Sequence, residues 1–288
     1  MNRGLNMLLK KYLLITGILL SMANSAHAFQ PDYKSLFKGY DGCFMLYDNS
    51  SKKMLSEYNP NNRCSQRIPV NSTFKLPLAL MAFDAGLINK DTVFKWNGQR
   101  YDLLDWNQDQ NPASWEKYSV VWVSQHITPQ LGLDKIKQYL ADFNYGNQDF
   151  SGDPGKNNGL SNAWLSSSLK VSAKEQLALL QQFANGTLPL SQQAMAETKK
   201  IIYVGKLNHG ADLYGKTGSG WKNRSDKGGN SKKMRDGWYI GLVENAGKQY
   251  IFVSNITDEN IPSADDKKMG GPIAKEISLK LLNSYFSS

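Results

Sequence analysis

Strand-like sequence near both ends, with helix-like sequence between them, is the feature that most restricts how this chain of 288 residues can fold. Near the start, residues 43–47 and 54–58 flank a polar stretch and are typical of a hairpin. Near the end, residues 237–243 and 249–255 are rich in aromatic and β-branched side chains and are separated by Asn-Ala-Gly. These two late segments are therefore predicted to be adjacent antiparallel strands.

The middle of the chain has helical periodicity instead. Residues 133–143 show helical spacing, and Ser172 with Glu175 forms a capping box that opens a further helix. Another helix is predicted to begin at Ser191, and the apolar spacing within 273–281 predicts an amphipathic closing helix.

The predicted fold is therefore α+β. An antiparallel sheet is formed by both ends of the chain, roughly residues 29–80 and 200–288, and carries an inserted helical lobe at roughly 85–195. The cleft between the sheet layer and the helical lobe is the expected place for a functional site.

Residues 1–28 have the pattern of a secretory signal. Three basic residues precede an apolar run at 12–20, and a small-x-small cleavage site ends at Ala28. Cleavage there would leave a periplasmic domain of residues 29–288. A retained membrane anchor is the alternative, although the run is shorter than the ~20 residues of a spanning helix. No later segment is long and apolar enough, so stable membrane insertion is not predicted.

Charge and metal-ligand patterns exclude two classes of function. Removing the leader would lower the formal charge from +9 to +6, a modest excess that indicates a solvated basic face rather than a nucleic-acid partner. The remaining domain has two histidines and lacks His-x-His and Cys-x-x-Cys patterns, so no metal is predicted.

Cys43 and Cys64 are the only cysteines of the chain. In an oxidising compartment they are expected to pair, which would tie the first hairpin to the segment ahead of Ser72. The alternative is two buried free thiols.

Two short motifs carry candidate chemistry. Ser72 and Lys75 have the S-x-x-K spacing, which brings a hydroxyl and an amine to one face of a helix. A serine needs a base to become a nucleophile, and a buried lysine of lowered pKa can be that base. Alone, the motif more often marks an N-cap serine followed by a solvated lysine. However, Lys216, Thr217 and Gly218 follow late in the chain, and S-x-x-K before K-T-G is typical of penicillin-recognising serine enzymes.

Three further segments lie between these motifs: Ser119-Val120-Val121, Tyr145-Gly146-Asn147 and Trp164-Leu165. In this order, the five motifs resemble those of class D β-lactamases, the oxacillinases. The resemblance covers essentially all of the chain after the leader. It implies the β-lactamase/transpeptidase-like fold, and hydrolysis of penicillins and oxacillin-like compounds through an acyl-serine intermediate.

The resemblance also implies a role for each matching residue. Ser72 would be the nucleophile, and Lys75 would be carboxylated by carbon dioxide (N6-carboxylysine) and act as general base. Burial by Val121, Trp164 and Leu165 would keep the lysine amine neutral, and the indole N–H of Trp164 would hold the carbamate. No other cofactor is implied.

The same resemblance assigns the groups that handle the leaving nitrogen and the oxyanion. Ser119 would relay protons towards the leaving nitrogen, with Lys216 beside it. The backbone N–H groups of Ser72 and Ser219 would form the oxyanion hole. The other positions implied at the substrate pocket are Thr217, Gly218 and Tyr145, the last of these as a structural wall.

The chain departs from the family in two places. Residues 254–269 lack the arginine that in many members pairs with the substrate carboxylate, so Lys267 and Lys268 either substitute for it or are simply solvated. The segment 221–235 carries six basic residues and one acidic residue. It either draws anionic antibiotics towards the site, shapes the pocket for their side chains, or is a solvated hairpin.

Two other functions share this fold and these motifs. One is a β-lactam sensor domain that stays acylated, and the other is a penicillin-binding transpeptidase. The Trp164-Leu165 pair and the valines after Ser119 favour hydrolysis assisted by a carboxylated lysine. The sequence leaves the substrate spectrum and the oligomeric state open.

Overall fold

The computed structural model describes Phe29 and residues 31–225, 231–263 and 265–287. The predicted signal segment lies outside these residues, as do residues 226–230 of the basic segment. Across the described ranges, no helix combines the length and the apolar character needed to cross a bilayer.

The main sheet takes its strands from both ends of the chain. In chain order, the strands of both sheets are β1 (Tyr40–Asp48), β2 (Lys53–Tyr58), β3 (Ile68–Pro69), β4 (Lys170–Val171), β5 (Tyr203–Lys206), β6 (Asp212–Ser225), β7 (Ser231–Asn245) and β8 (Lys248–Asp258). The main sheet has the order β2-β1-β8-β7-β6-β5 with antiparallel neighbours, and β3 pairs with β4 separately. The predicted hairpin is β1–β2 and the predicted late pair is β7–β8, so both predictions are confirmed.

Helices occupy most of the chain between the two groups of strands. They are α1 (Tyr33–Leu36), α2 (Lys75–Asp84), α3 (Pro112–Lys117), α4 (Val121–Leu131), α5 (Leu133–Asp142), α6 (Gly159–Asn162), α7 (Ala173–Ala184), α8 (Gln192–Ile201) and α9 (Gly270–Phe286), with 3₁₀ turns at Pro60–Ser65, Asn71–Phe74 and Leu104–Trp106. The helices predicted from periodicity are α5, α7, α8 and α9. The capping box of α7 is present, because the Ser172 hydroxyl accepts from the Glu175 N–H and the Glu175 carboxylate accepts from the Ser172 N–H. The α+β fold is confirmed, and the limits of the sheet layer and the helical lobe stay predictions.

Side chains of β1 alternate between two apolar layers. Phe44 and Leu46 belong to the cluster that α9 covers, whereas Cys43 and Met45 belong to the cluster that includes the apolar face of α7. Because successive side chains of a strand point to opposite faces, the sheet carries α9 on one face and α7 on the other.

Helix α2 is enclosed by its neighbours. Its residues from Lys75 to Ala82 are all buried, and it packs against α4 and α8. A helix that is apolar around its whole circumference belongs in the interior of a protein. This position takes Lys75, at the first turn of the helix, away from solvent.

A disulfide joins Cys43 of β1 to Cys64 of the turn at Pro60–Ser65, with the two Cα atoms 5.2 Å apart. The predicted pairing is confirmed, and the alternative of two free thiols is wrong. Closing a loop of sequence separation 21 stabilises the folded chain by roughly 3 kcal/mol in the chain-entropy description.

Arg235 differs from the basic residues with which the sequence groups it. It is buried on β7, where its guanidinium donates to the carboxylates of Asp258 and Asp266 and to the carbonyl of Lys268. Arg235 is therefore a structural cation, and the expectation that it contributes to a solvated or antibiotic-attracting loop is wrong. The described parts of the segment 221–235 continue β6 and β7 as a long hairpin.

Candidate active site

The turn that precedes α2 brings the first two candidate residues together. Ser72 lies in the 3₁₀ turn Asn71–Phe74, and Lys75 Nζ donates a hydrogen bond to Ser72 Oγ at 3.3 Å. In a 3₁₀ turn the side chains of residues i and i+3 lie on the same side, which aligns the hydroxyl and the amine. The predicted proximity of the two side chains is present.

The amine of Lys75 has no access to solvent, and the residue is 0% exposed. Burial lowers its pKa well below the usual value for lysine, the charge of Lys216 lowers it further, and Glu116 opposes both effects. An amine in this environment favours its neutral form, which is the form that accepts protons and reacts with carbon dioxide.

Trp164 lies beside this turn and has an unpaired donor. Its ring is fully buried and stacks on that of Phe74, the neighbour of Lys75, with the ring centres 5.5 Å apart. Its Nε1 has no hydrogen-bond partner among the described residues. An indole N–H is only a donor, so this buried group is suited to an additional acceptor next to the nucleophile turn.

Lys216 and Ser119 face each other across the site. Lys216 Nζ, on β6, donates to Ser119 Oγ at 2.9 Å and to the Thr217 carbonyl at 3.0 Å. Ser119 occupies the short connection between α3 and α4 with a φ of 57°, a left-handed conformation that is uncommon for serine. Burial lowers the pKa of Lys216 to about 8, although Glu116 counteracts the effect.

The edge of β6 comes very close to Ser72. β5 pairs with β6 only as far as Tyr214, so no strand covers this edge from Lys216 onward, and at Trp221 the backbone N–H donates to Ser166 Oγ. A Cβ atom on Gly218 would lie 3.3 Å from the backbone nitrogen of Ser72, which is closer than ordinary van der Waals contact. Glycine, which has no Cβ atom, therefore fits this close approach of the two backbones. Ser219 is fixed by its hydroxyl, which accepts from the Gly271 N–H at the start of α9.

The hydroxyl of Tyr145 is buried and held by a hydrogen bond. Its hydroxyl donates to Gln176 Oε1 at 3.3 Å, and Gln176 Nε2 donates to Thr73 Oγ1 at 2.9 Å. Full burial raises the pKa of Tyr145 far above its usual value. These contacts support the interpretation of Tyr145 as a wall that holds the nucleophile turn.

The remaining predicted residues are described by their exposure and ion pairing. Val121 and Leu165 are each half-buried. Of the two candidate cations for a substrate carboxylate, Lys268 is paired with Glu276 at 2.8 Å. Because Lys267 is exposed, it is the more available of the two lysines to bind a substrate carboxylate.

Two residues that the sequence did not single out hold the nucleophile turn. Asn71 and Ser166 both have positive φ angles, 50° and 52°, and Ser166 donates to Asn71 Oδ1 through its N–H and its hydroxyl. A Cβ on Gly220 would lie 2.4 Å from the Asn71 amide. This cluster joins the residue before Ser72 to the residue after Leu165. Asparagine is enriched at positive φ, but its local sequence gives no sign of a partner 95 residues away.

Glu116 is the third residue that the sequence missed. It lies on α3, is 3% exposed, and neither carboxylate oxygen has a hydrogen-bond partner among the described residues. Burial raises its pKa to about 7, while Lys216 and Lys75 act in the opposite direction. A glutamate in a short polar helix is usually solvated, so the sequence carries no signal for this placement.

The described residues contain no group of three or more His, Cys, Asp or Glu side chains placed to hold a metal ion. The arrangement instead pairs two serine hydroxyls with two buried lysines, Ser72 with Lys75 and Ser119 with Lys216.

Comparison with known proteins agrees with this arrangement. Residues 16–279 match the family described as penicillin binding protein transpeptidase domain. The chain is 41% identical to the β-lactamase OXA-1 of Escherichia coli over 247 residues, covering 85% of this chain and 87% of that protein.

Solved structures give the same result. The crystal structure of the class D β-lactamase OXA-427 aligns with a TM-score of 0.74 and 34% identity, over 85% of this chain and 98% of that one. The C-terminal domain of the Bacillus licheniformis BlaR penicillin-receptor aligns with a TM-score of 0.75 and 31% identity, over 88% of this chain and 95% of that domain.

Proposed function

Because the chain belongs to the penicillin-binding transpeptidase family and, within it, to the class D β-lactamases, we propose that it hydrolyses β-lactam rings through an acyl-enzyme on Ser72. The observation that carries this proposal is the contact of 3.3 Å between the hydroxyl of Ser72 and the fully buried amine of Lys75. A neutral amine at this distance makes Ser72 an activated nucleophile.

The other residues of the site support the two halves of the reaction. Ser72 attacks the lactam carbonyl, and the N–H groups of Ser72 and Ser219 stabilise the oxyanion, a contribution of roughly 2.7 to 4 kcal/mol per donor. Ser119 passes a proton to the leaving nitrogen, and its contact with Lys216 orients its hydroxyl. Thr217 and Gly218 bind the substrate along the open edge of β6.

The surroundings of Lys75 are suited to carboxylation of its amine by carbon dioxide. Burial lowers the pKa of the amine and so favours its neutral form, and the unpaired indole N–H of Trp164 next to this turn is a donor for the carbamate. When present, the carbamate supplies a general base for acylation and for deacylation. Phe74 and Trp164 exclude water from this part of the site.

We further assign penicillins and oxacillin-like compounds as substrates and the periplasm as the compartment. The disulfide between Cys43 and Cys64 supports export, because such bonds persist in oxidising compartments.

Mass spectrometry after treatment with a penicillin tests the nucleophile. One acyl adduct is expected on the Ser72 peptide, and Ser72→Ala should fold without forming it. Ser151→Ala, which removes the hydroxyl of an exposed serine, is the control and should acylate like the parent protein. An adduct on any residue other than Ser72 would refute the assignment.

Turnover of a chromogenic cephalosporin separates the proposed hydrolase from a receptor-like function. Continuous turnover is expected of the hydrolase. The likeness to the penicillin-receptor domain makes sensing the second candidate function. Stoichiometric acylation of Ser72 without turnover would favour that sensor and overturn hydrolysis.

Trp164→Phe tests the proposed carbamate donor while keeping an aromatic ring in place. Losing a hydrogen bond to a charged group costs roughly 1.5 to 3 kcal/mol, so the bicarbonate needed for half-maximal activity should rise roughly 10- to 150-fold. Trp115→Phe is the matched control, because Trp115 is equally buried but donates to Ser124 Oγ at 3.0 Å. An unchanged bicarbonate requirement in Trp164→Phe would remove Trp164 from this role.

A further inference from the structure

A cluster of polar groups joins the 3₁₀ turn that carries Ser72 to the edge of β6 that no strand covers. Asn71 Oδ1 accepts hydrogen bonds from the Ser166 N–H at 3.0 Å and from the Ser166 hydroxyl at 3.2 Å. Ser166 Oγ in turn accepts from the N–H of Trp221, on β6, at 3.1 Å. Asn71 and Ser166 therefore bridge segments of the chain that are distant in sequence.

The amide of Asn71 is buried and hydrogen-bonded at both ends. Its Nδ2 donates to the Pro69 carbonyl at 3.3 Å, and the residue is 1% exposed. The same carbonyl accepts from Trp238 Nε1, on β7, at 2.9 Å. Asn71 and Ser166 both adopt left-handed backbone conformations, which persist only where surrounding contacts hold them. The bridge is thus a fixed part of the structure rather than a surface contact.

The backbone of Asn71 determines the direction of the Ser72 N–H. This N–H belongs to the peptide unit that also contains the Asn71 carbonyl, and a peptide unit is planar. Any change in the backbone dihedral angles of Asn71 therefore turns the whole unit, including the Ser72 N–H. The hydrogen bonds of the Asn71 side chain hold those angles in place.

The same bridge fixes the strand that carries Ser219. In an antiparallel pair, residues alternate between those that bond the partner strand and those whose N–H points away from it. The Trp221 N–H points away from β7, because it donates to Ser166. The N–H of Ser219, two residues earlier, therefore points to the same edge of β6. Gly220, between them, packs against the bridge, since a Cβ atom there would lie 2.4 Å from the Asn71 amide and 2.5 Å from Ser166 Oγ.

We propose that Asn71 and Ser166 are positioning residues that set the distance and the angle between the two oxyanion donors, the N–H groups of Ser72 and Ser219. This inference rests on the acylation of Ser72 proposed above. Both residues act through the backbone: Asn71 through the peptide unit it shares with Ser72, and Ser166 through its contact with Trp221. Donors stabilise an oxyanion when they are already placed where its charge develops, and this bridge supplies that placement.

Asn71→Gly tests the bridge without straining the backbone, because glycine accepts a positive φ. A displacement of about 1 Å at a reacting centre costs about 100-fold in rate, and the contact of Trp238 with the Pro69 carbonyl remains in this variant. The rate constant for acylation by a penicillin, measured by stopped flow, should therefore fall about 10- to 100-fold. The dissociation constant of the initial complex should change less than about threefold, since the oxyanion charge develops only in the transition state.

Gly220→Ala tests the same bridge without removing any polar group. Its added methyl group would push Asn71 and Ser166 away from β6, so the rate constant for acylation should fall by a similar factor. Ser166→Gly keeps the N–H that donates to Asn71 and loses only the hydroxyl, so its effect should be smaller than that of Asn71→Gly. Asn144→Gly is the matched control, because Asn144 is an exposed asparagine with a φ of 48°, and it should acylate like the parent protein.

An infrared band separates positioning from a general loss of stability. Hydrogen bonds to a carbonyl oxygen lower its stretching frequency, so the ester carbonyl of the acyl-enzyme records both donors. The band is measured by rapid mixing with a penicillin that carries ¹³C at the lactam carbonyl. In Asn71→Gly and Gly220→Ala it should move to higher frequency than in the parent protein. A purely structural role would lower the fraction of protein that acylates and leave the band where it is.

The outcomes separate this inference from the proposed function. A parent-like rate constant for acylation, or an unmoved carbonyl band, in Asn71→Gly and Gly220→Ala overturns the positioning role and leaves the acyl-enzyme on Ser72 intact. Absence of acylation in the parent protein overturns both. Gly220→Ala decides the question if Asn71→Gly does not fold.

Discussion

Two clusters of buried charge in this protein differ in how completely they are paired. On β7, Arg235 donates to both oxygens of Asp258 at 2.9 and 3.2 Å and to Asp266 at 2.7 Å. Around the proposed nucleophile, Lys75 has a single hydrogen bond among the described residues, to Ser72, and Glu116 has none. The first cluster is saturated, whereas the second contains titratable groups whose usual partners are missing.

The difference in pairing indicates which cluster stabilises the structure and which is suited to chemistry. Saturated ion pairs resist changes in protonation and fix structure, as Arg235 fixes the segment that leads into α9. Unsaturated groups have shifted pKa values and exchange protons or bind ligands near neutral pH. In this protein the unsaturated cluster coincides with the proposed catalytic site, and burying its groups without partners costs stability.

The largest expected effect comes from removing the amine of the unsaturated cluster. Lys75→Met keeps the side-chain volume but removes the base, so kcat should fall on the order of 10²- to 10⁴-fold at any bicarbonate concentration. The free energy of unfolding, measured by urea denaturation without bicarbonate, should not decrease, because an unpaired buried amine is lost. Rescue of turnover by bicarbonate would contradict the role of Lys75.

Removing the cation of the saturated cluster should lower stability and leave kcat nearly unchanged, the opposite of the result expected for Lys75→Met. Arg235→Met leaves Asp258 buried without its partner, which should lower the free energy of unfolding by roughly 3 to 5 kcal/mol. The folded fraction should retain a kcat close to that of the parent. Adding Asp258→Leu should recover part of the stability in the same denaturation experiment. If it recovers none, the pairing is not the source of the loss.

The smallest effect expected is a difference in the pH dependence of stability between two glutamates. Burial raises the pKa of Glu116 to about 7, so the folded state binds this proton more tightly than the unfolded state. The resulting loss of stability should grow as the pH rises from about 4.5 to 7, to at most roughly 3 kcal/mol. Glu116→Gln should therefore be more stable than the parent at pH 8 and equal to it near pH 4.5, as measured by denaturant midpoints.

Glu175→Gln is the comparison for this effect. Burial acts to raise the pKa of Glu175, but hydrogen bonds from Arg67 and Ser172 outweigh it and the pKa lies below its usual value. Its stabilisation is present above the unfolded pKa and is lost as the pH falls. Glu175→Gln should therefore be less stable than the parent at pH 8, and the difference in the free energy of unfolding between the two proteins should become smaller at acid pH. The same sign of effect for both glutamates would refute the distinction between the two clusters.

Much of the fold could be predicted from local patterns. Alternating and periodic apolar residues mark the strands of the late pair and the helices α5, α7 and α8, because each pattern reflects which face of an element is buried. The motif residues Ser72, Lys75 and Lys216 could likewise be identified from their spacing and order. Arg235 could not be assigned in this way, since its position among basic residues gives no sign of the two aspartates that bury it.

The sequence by itself predicted the first hairpin, the late strand pair, the helices with clear apolar periodicity and the candidate nucleophile, because these depend on short spacings. It favoured pairing of the two cysteines but left two free thiols as the alternative. Only the tertiary structure decided that Glu116 is buried in the same cavity wall as Lys216, and that Asn71 accepts hydrogen bonds from Ser166 at a separation of 95 residues. The physical reason is that desolvation and charge coupling depend on which distant segments pack together. Local periodicity records which side of a helix is buried, but not what lies against it.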